Sequence, residues 1–371
     1  MKDPAGLGLY LHVPFCLSKC GYCAFSSVVP SPGSIDAWLD RLAGEITRAL
    51  PASVGQAVRT VFIGGGNPTA IGAKPLARVL ALLQHPLEQA KIEEWTVETN
   101  PETLTPEAAA VLEELPGLRL SMGLQRLHDD ELRLLDRRGT AAAGRAAITL
   151  ALLLTPRVGV DLILGVPGCP SLAAELARLI GEFPVQHVSA YFLSVEEGTP
   201  LSDRVREGRF PDPSEVGPEE LFEVADVLGQ AGFEHYEISN FARPAGRCLH
   251  NMNYWLGGEY IGLGPAAVGT QNDVRRSNPA SLRDWLDGRA PGIEQLSPED
   301  RFRETVMLRL RLVSDGLDLS WLEYRYGPLP EAFHLAVDSR VSAGMLIRNG
   351  PVIRLSPKGI AFANRVISEL F

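Results

Sequence analysis

The sequence predicts an α/β protein: a barrel or partial barrel of six strand–helix units, an elaborated segment, and a small winged-helix-like C-terminal domain. Three observations carry that expectation. Apolar or β-branched runs alternate six times with amphipathic helical runs between residues 1 and 232, which implies parallel strands with helices outside them. Polar residues recur at the C-terminal ends of those strands, the face that carries the chemistry in barrels, and this favours a barrel over a doubly wound sheet. After residue 233 the rhythm breaks into sequence rich in Gly, Asn and aromatics.

The elements follow in order. Residues 6–14, GLGLYLHVP, read as the first strand, and 34–50 as a helix opened by Ser34 as N-cap. TVFIGGG (60–66) is a strand ending in glycines, followed by a helix over 74–84. EEWTVETN (93–100) is a strand, and the next helix starts with Thr105 as cap and Pro106 at its first position. Strands over 118–125, 157–167 and 187–196 are separated by helices over 129–139, 141–154 and 171–183, and a helix over 218–232 closes the series. Residues 233–295 read as an extension over the barrel rim plus a linker. The tail, 296–371, has two helices and then two apolar runs joined by Arg348-Asn349-Gly350, a hairpin turn.

The chain has 371 residues, 45% of them hydrophobic and 22% charged, an ordinary balance for a globular protein with one large and one smaller domain. A net charge of −10 argues against a broad nucleic-acid-binding face, and the winged-helix-like tail lacks a clustered basic helix face. A scaffold or a gate over the barrel is the expected role for that tail. No run of eighteen apolar residues and no signal sequence is present. Five cysteines, an odd number without a disulfide framework, fit a reducing cytoplasm.

Three of those cysteines, Cys16, Cys20 and Cys23, fall within eight residues after the first strand. A structural zinc site normally takes four ligands, often as two separated pairs, and no second pair exists. Zinc and incidental burial remain the alternatives to a [4Fe–4S] cluster with one iron free of protein ligand. C-x3-C-x-aromatic-C after a first strand resembles the signature of the radical S-adenosylmethionine (SAM) superfamily. That resemblance implies a partial (β/α)6 TIM-like barrel, a [4Fe–4S] cluster on Cys16, Cys20 and Cys23, SAM held at the open iron, and an electron donor.

The same resemblance singles out a ligand pocket. Gly65 and Gly66, in Gly64-Gly65-Gly66, match the loop that meets the SAM amine, with Asn67 where relatives commonly carry Thr; a tight turn is the bland alternative. Glu98, Gln125, Arg137 and Asp161 stand at or near strand ends and match SAM-contact positions; Arg can hold a carboxylate, and the others hydroxyls or an ammonium. Tyr10 and Tyr22 would flank the cluster and the adenine.

His250-Asn251-x-x-Tyr254-Trp255 resembles the H-N-x-x-Y-W stretch of HemW-type haem chaperones, and the similarity runs nearly end to end. It implies haem or a porphyrin as ligand, with His250 the first candidate for an axial ligand, and a haem-acceptor protein as partner. A second copy of the chain is a further candidate partner. The alternative is an oxygen-independent coproporphyrinogen III oxidase-like enzyme of porphyrin biosynthesis. Against it stand Cys16 near the start, Ala24-Phe25 after Cys23, and the H-N-x-x-Y-W stretch itself. The chain departs from the chaperone pattern at Asn67, Arg126, Gly139 and Val268, and at Cys169, which sits where Gln is more usual.

Overall fold

A computed structural model describes residues 6–371. Six strands, β1 (Leu7–Val13), β2 (Val58–Gly65), β3 (Glu94–Thr99), β4 (Leu118–Gln125), β5 (Val158–Leu164) and β6 (His187–Phe192), pair in sequence order, all parallel. A helix or helices cross between each pair. β1 and β6 do not pair with each other, so the barrel is partial, in agreement with the expected class.

The strands alternate between two environments, because successive side chains point to opposite faces. Leu9, Leu11, Val61, Ile63, Trp95, Val97, Leu120, Met122, Val158, Val160 and Leu162 face outward and are buried under the helices, against Trp38, Leu42, Leu76, Leu83, Ile148 and Leu176. Each such side chain contributes about 1.5–3 kcal/mol of apolar burial. The inward face is instead polar: Glu94, Thr96 and Glu98 on β3, Arg119 and Ser121 on β4, Asp161 on β5, His187, Ser189 and Tyr191 on β6. An apolar shell around a polar interior makes the barrel a binding vessel.

Helix starts match the sequence where a cap is local. Thr105 accepts from the Ala108 amide with Pro106 at the first helical position. Ser34 is a correction: the cap position is Gly33, in the left-handed region, and the Ser34 hydroxyl turns back to the Ser31 carbonyl.

Residues 233–295 extend the sheet at both edges. β7 (Glu234–Glu237) and β8 (Asn240–Ala242) extend the sheet antiparallel beyond β6. β9 (Tyr260–Leu263) joins β1 in parallel, and β10 (Val268–Gln271), β11 (Val274–Ser277) and β12 (Gly292–Gln295) continue from it, giving twelve strands. Between β8 and β9, the helix Leu249–Trp255 crosses inside the barrel, against the N-terminal halves of β2 and β3. It forms a floor, at the end opposite the cysteines.

The C-terminal unit has a separate core built from Val306, Leu310, Leu322, Phe333, Val337 and Ile353. β13 (Leu317–Asp318) pairs with β15 (Val352–Leu355), which forms a hairpin with β14 (Leu346–Asn349) across Gly350-Pro351. Three helices before the hairpin, Pro298–Leu310, Leu319–Tyr326 and Glu331–Ser342, and two short ones after it, Pro357–Ala361 and Ala363–Ser368, complete the winged-helix-like unit. The unit docks behind the floor. The Ile238 amide donates to the Arg311 carbonyl at 3.1 Å, and Arg311 pairs with Glu237 at 2.7 Å while covering Trp255. None of its residues lines the cavity described next.

Candidate functional site

The barrel encloses a cavity of about 640 Å³, open at the C-terminal ends of the strands. The loop after β1 brings Cys16, Cys20 and Cys23 to its mouth as free thiols, with Tyr22 between them. The loop is pinned on both sides. The Cys16 amide donates to Val28, and the Leu201 amide to the Gly21 carbonyl. A Cβ on Gly21 would overlap the Asp136 carboxylate, which pairs with Arg204. Burial, the largest cause, raises the Cys16 and Cys23 thiols, and the neighbouring cysteines add to it. The Arg137 guanidinium lies 3.5 Å from the Cys20 sulfur, a cation beside a developing thiolate.

The three sulfurs fit a cluster. Thiols spread along one loop at a cavity mouth suit a cluster whose irons stand at separate corners.

Ten of the thirteen residues singled out from the sequence line this one cavity: the three cysteines, Tyr22, Gly65, Gly66, Glu98, Gln125, Arg137 and Asp161. Glu98 accepts from the Gly65 amide at 2.9 Å, and Asp161 from the Ser121 hydroxyl at 2.9 Å. Burial pushes the Glu98 carboxyl up to about 7, with the Gly65 amide opposing and Asp161 adding; burial also raises Asp161. Arg137 donates to Asn100 at 2.9 Å and to the Gly123 carbonyl at 2.6 Å, and pairs with no carboxylate among the described residues. Gln125 ends β4 at φ 69°, in the left-handed region disfavoured for a side chain. That conformation, at a register shift in the β4–β5 ladder, sits at the wall of the site.

The glycine run is also a packing requirement. A Cβ on Gly64 would stand 2.6 Å from Glu98 Oε2, one on Gly65 would overlap the His12 ring, and one on Gly66 would stand 2.6 Å from the Phe15 carbonyl. Gly65, at φ 107°, is in a backbone region that side chains avoid.

Three residues stand elsewhere. Asn67 is buried beside the cavity. Its amide donates to Thr103 at 2.8 Å and accepts from Thr69 at 2.9 Å, in a closed network with Thr99. Its side chain is thus engaged within the protein on both its oxygen and its nitrogen. Tyr10 is set behind Phe62, ring centroids 6.0 Å apart, with its hydroxyl 3.0 Å from His12 Nδ1. It does not line the cavity. His250 is fully buried in the floor helix, Nδ1 at 2.9 Å from the Thr60 hydroxyl and Nε2 at 2.8 Å from the Tyr254 hydroxyl. Both ring nitrogens are occupied, and burial holds the imidazole down to about 3. In this arrangement it offers no nitrogen to an iron.

Two departures from the family pattern acquire structural reasons. Arg126, 1% exposed, donates to Glu131 at 2.8 Å, Glu220 at 3.0 Å, and the carbonyls of Ile163 and Pro170. Glu220 in turn accepts from the Gly165 and Leu172 amides, so the clamp ties the end of β4 to the loop after β5. That loop carries Cys169, which packs against the same apolar cluster as Tyr22. At Gly139, the space of a side chain is filled by the Glu102 carboxylate. Nothing in the structure explains Val268, which pairs with Ser277 in an ordinary ladder.

The lower walls of the cavity are formed by strand residues that the motifs do not mark, Thr96, Arg119, His187 and Ser189, with Cys248 and Asn251 at the floor. The signal was present as period-two polar residues in strands that otherwise read as buried.

Comparison with known proteins gives the following. The sequence profile of the radical SAM superfamily matches residues 10–180, and that of the HemN C-terminal domain residues 296–362. The chain is 35% identical to the protein named heme chaperone HemW of Mycobacterium tuberculosis, over 98% of this chain and 94% of that one. It is 29% identical to the HemW of Lactococcus lactis, over 97% and 96%. It is 38% identical to the radical S-adenosyl methionine domain-containing protein 1 of Bos taurus, over 70% of this chain and 60% of that one. Among solved structures, coproporphyrinogen III oxidase (HemN) from Escherichia coli superposes with a TM-score of 0.83 at 22% identity, over 100% of this chain and 90% of that one. That likeness establishes the fold.

Proposed function

Because the chain belongs to the radical SAM superfamily and, within it, to the HemW family, we propose that it is a cluster-containing haem chaperone that binds haem and delivers it to acceptor proteins. The observation that carries the reading is the end-to-end match to HemW together with a single cavity that has three thiols at its mouth and a polar interior below them. Cys16, Cys20 and Cys23 would hold a [4Fe–4S] cluster. Such a cluster supplies an open iron for the amino and carboxylate groups of SAM and an electron for its cleavage.

The chain's own residues have definable tasks around it. Arg137 lends positive charge beside Cys20 and forms no ion pair with a carboxylate among the described residues, so its charge is available to an anionic group. Glu98 and Asp161 offer acceptors for hydroxyls or an ammonium. Gln125 presents its amide from a strained turn, and Tyr22 closes the side of the mouth. The oxidase alternative is not favoured, since the relatives matching the full chain are named haem chaperones.

No helix among the described residues is long and apolar enough to cross a membrane. The reading places the protein in the cytoplasm, with an external electron donor, a haem acceptor and pairing between copies as its associations. It divides the chain near residues 232 and 295.

Anaerobic reconstitution followed by iron, sulfide and haem measurement on one sample tests this. Expected are about four irons and four sulfides per chain, lost when all three thiols are replaced by serine, and a saturable Soret band on adding haem. A protein that holds zinc without sulfide, or no saturable haem, overturns the reading.

A further inference from the structure

We infer that the floor of the cavity is a carboxylate-binding subsite, formed by Arg119, His187 and Asn251, that takes a propionate of the bound tetrapyrrole; the identity of the ligand rests on the haem reading above.

Arg119 is 2% exposed and carries the site. Its Nε donates to Glu94 at 2.8 Å, and its Nη2 to the carbonyls of Gly246 and Arg247 at 2.8 and 3.0 Å. Those three bonds fix the guanidinium plane. Nη1 has no partner among the described residues, and Arg119 is part of the cavity wall. Glu94 does not cancel this charge alone. It also takes the Leu249 amide and lies 3.9 Å from Arg157, so two guanidinium groups stand around one carboxylate.

Donors without partners surround that edge. His187, 4% exposed, engages the Tyr236 hydroxyl through Nε2 at 2.8 Å, while Nδ1 has no partner among the described residues. Burial first, and the Arg119 charge second, hold this imidazole down to about 3, so it is neutral at pH 7. In the tautomer the site requires, Tyr236 donates to Nε2 and the Nδ1–H is left for the cavity. Glycine at 159, paired with His187 across β5 and β6, leaves the wall between them open. The Asn251 side chain, rising from the floor helix, makes no hydrogen bond among the described residues and lines the same cavity. Apart from Glu94, which Arg119 already holds, the acids Glu98 and Asp161 stand one layer higher, toward the thiols, with both carboxyls raised by burial.

A fixed guanidinium edge, a neutral imidazole N–H and the NH2 of a primary amide bring three donors to one end of the cavity, and buried donors of that kind call for an anionic oxygen ligand. SAM is accounted for by groups at the other end of the cavity. Haem brings two carboxylates of its own.

The test is an absorbance titration of the reconstituted full-length protein with haem and with haem dimethyl ester, whose carboxylates are masked. Wild type is compared with Arg119→Lys, which keeps the charge facing Glu94 but loses the fork, and with Asn251→Ala, which removes no internal bond. SAM affinity is measured alongside. Wild type is expected to bind haem about tenfold more tightly than the ester, and the variants to bring haem toward the ester's level with SAM affinity unchanged. Equal binding of haem and ester by wild type overturns the inference, as do variants that leave haem affinity intact or weaken SAM instead. Failure of wild type to bind either compound overturns the haem reading itself and the subsite with it.

Discussion

Glu98 Oε2 accepts the Gly65 amide at 2.9 Å from a position that a Cβ on Gly64 would press to 2.6 Å. The glycine run and the carboxylate are therefore one unit: the run is thin so that Glu98 can reach across it. Gly64→Ala would displace the carboxylate, and Gly65→Ala would add backbone strain of about 1–3 kcal/mol. Both variants are expected to weaken SAM at least about tenfold, and Gly65→Ala also to lower the denaturation midpoint. Equilibrium dialysis with SAM and a urea titration check the two effects separately.

The same carboxylate predicts a pH dependence. Burial is the main cause that lifts Glu98 from 4.5 to about 7. Between those values the folded protein holds a proton that the unfolded chain has released. The contribution of this group to stability therefore falls as pH rises through that window and is level above it. If the carboxylate form is the one that receives SAM hydroxyls or the ammonium, affinity strengthens from about pH 6 to about pH 8. Glu98→Gln should flatten both profiles. Chemical denaturation and SAM titration across that range provide the check, and an unchanged slope in the variant would reject the assignment.

What could be read in the sequence was set by range. The six βα units were legible because alternation and caps such as Thr105 are local, and the cysteine loop because its spacing is. Ser34 misled because its hydroxyl had a nearer acceptor in Ser31. The floor was not legible. His250 lies on a helix whose position depends on Glu94 and Thr60, distant in sequence, so a motif that reads as a ligand from its neighbours becomes a structural bridge in three dimensions. Arg119 and His187 carry no motif, and only the alternation of β4 and β6 in the folded sheet places them on one inner wall.

Arg126 offers a stability prediction tied to a family departure. Removing the guanidinium, as in Arg126→Ser, would strand Glu131 and Glu220 around a vacated interior. The loss is expected to be about 3–5 kcal/mol, the cost of breaking a buried pair from one side. Replacing all three members by apolar residues of similar volume should recover most of it. Urea denaturation of the single and triple variants measures this. A single variant as stable as wild type would show that the clamp carries no net stability.

The last prediction separates structure from ligation at His250. The imidazole bridges Thr60 and Tyr254 beneath β1, with Gly8 close enough that a Cβ there would lie 3.1 Å from the ring. His250→Ala removes two buried hydrogen bonds and leaves a void, a loss of about 2–4 kcal/mol. Its value, held down to about 3 from 6.5, means that the unfolded chain takes up the proton first as pH falls. The contribution of His250 is therefore present above pH 6.5 and is lost progressively as pH drops toward about 3, and the variant should lose that part of the acid sensitivity. At pH 7, under conditions where the variant remains folded, its haem affinity should stay within about twofold of wild type, since no bond to iron is removed. A Soret titration on protein whose fold is verified by circular dichroism decides the matter: collapse of haem binding with the fold intact would return His250 to the role of axial ligand and require the floor helix to open on haem entry.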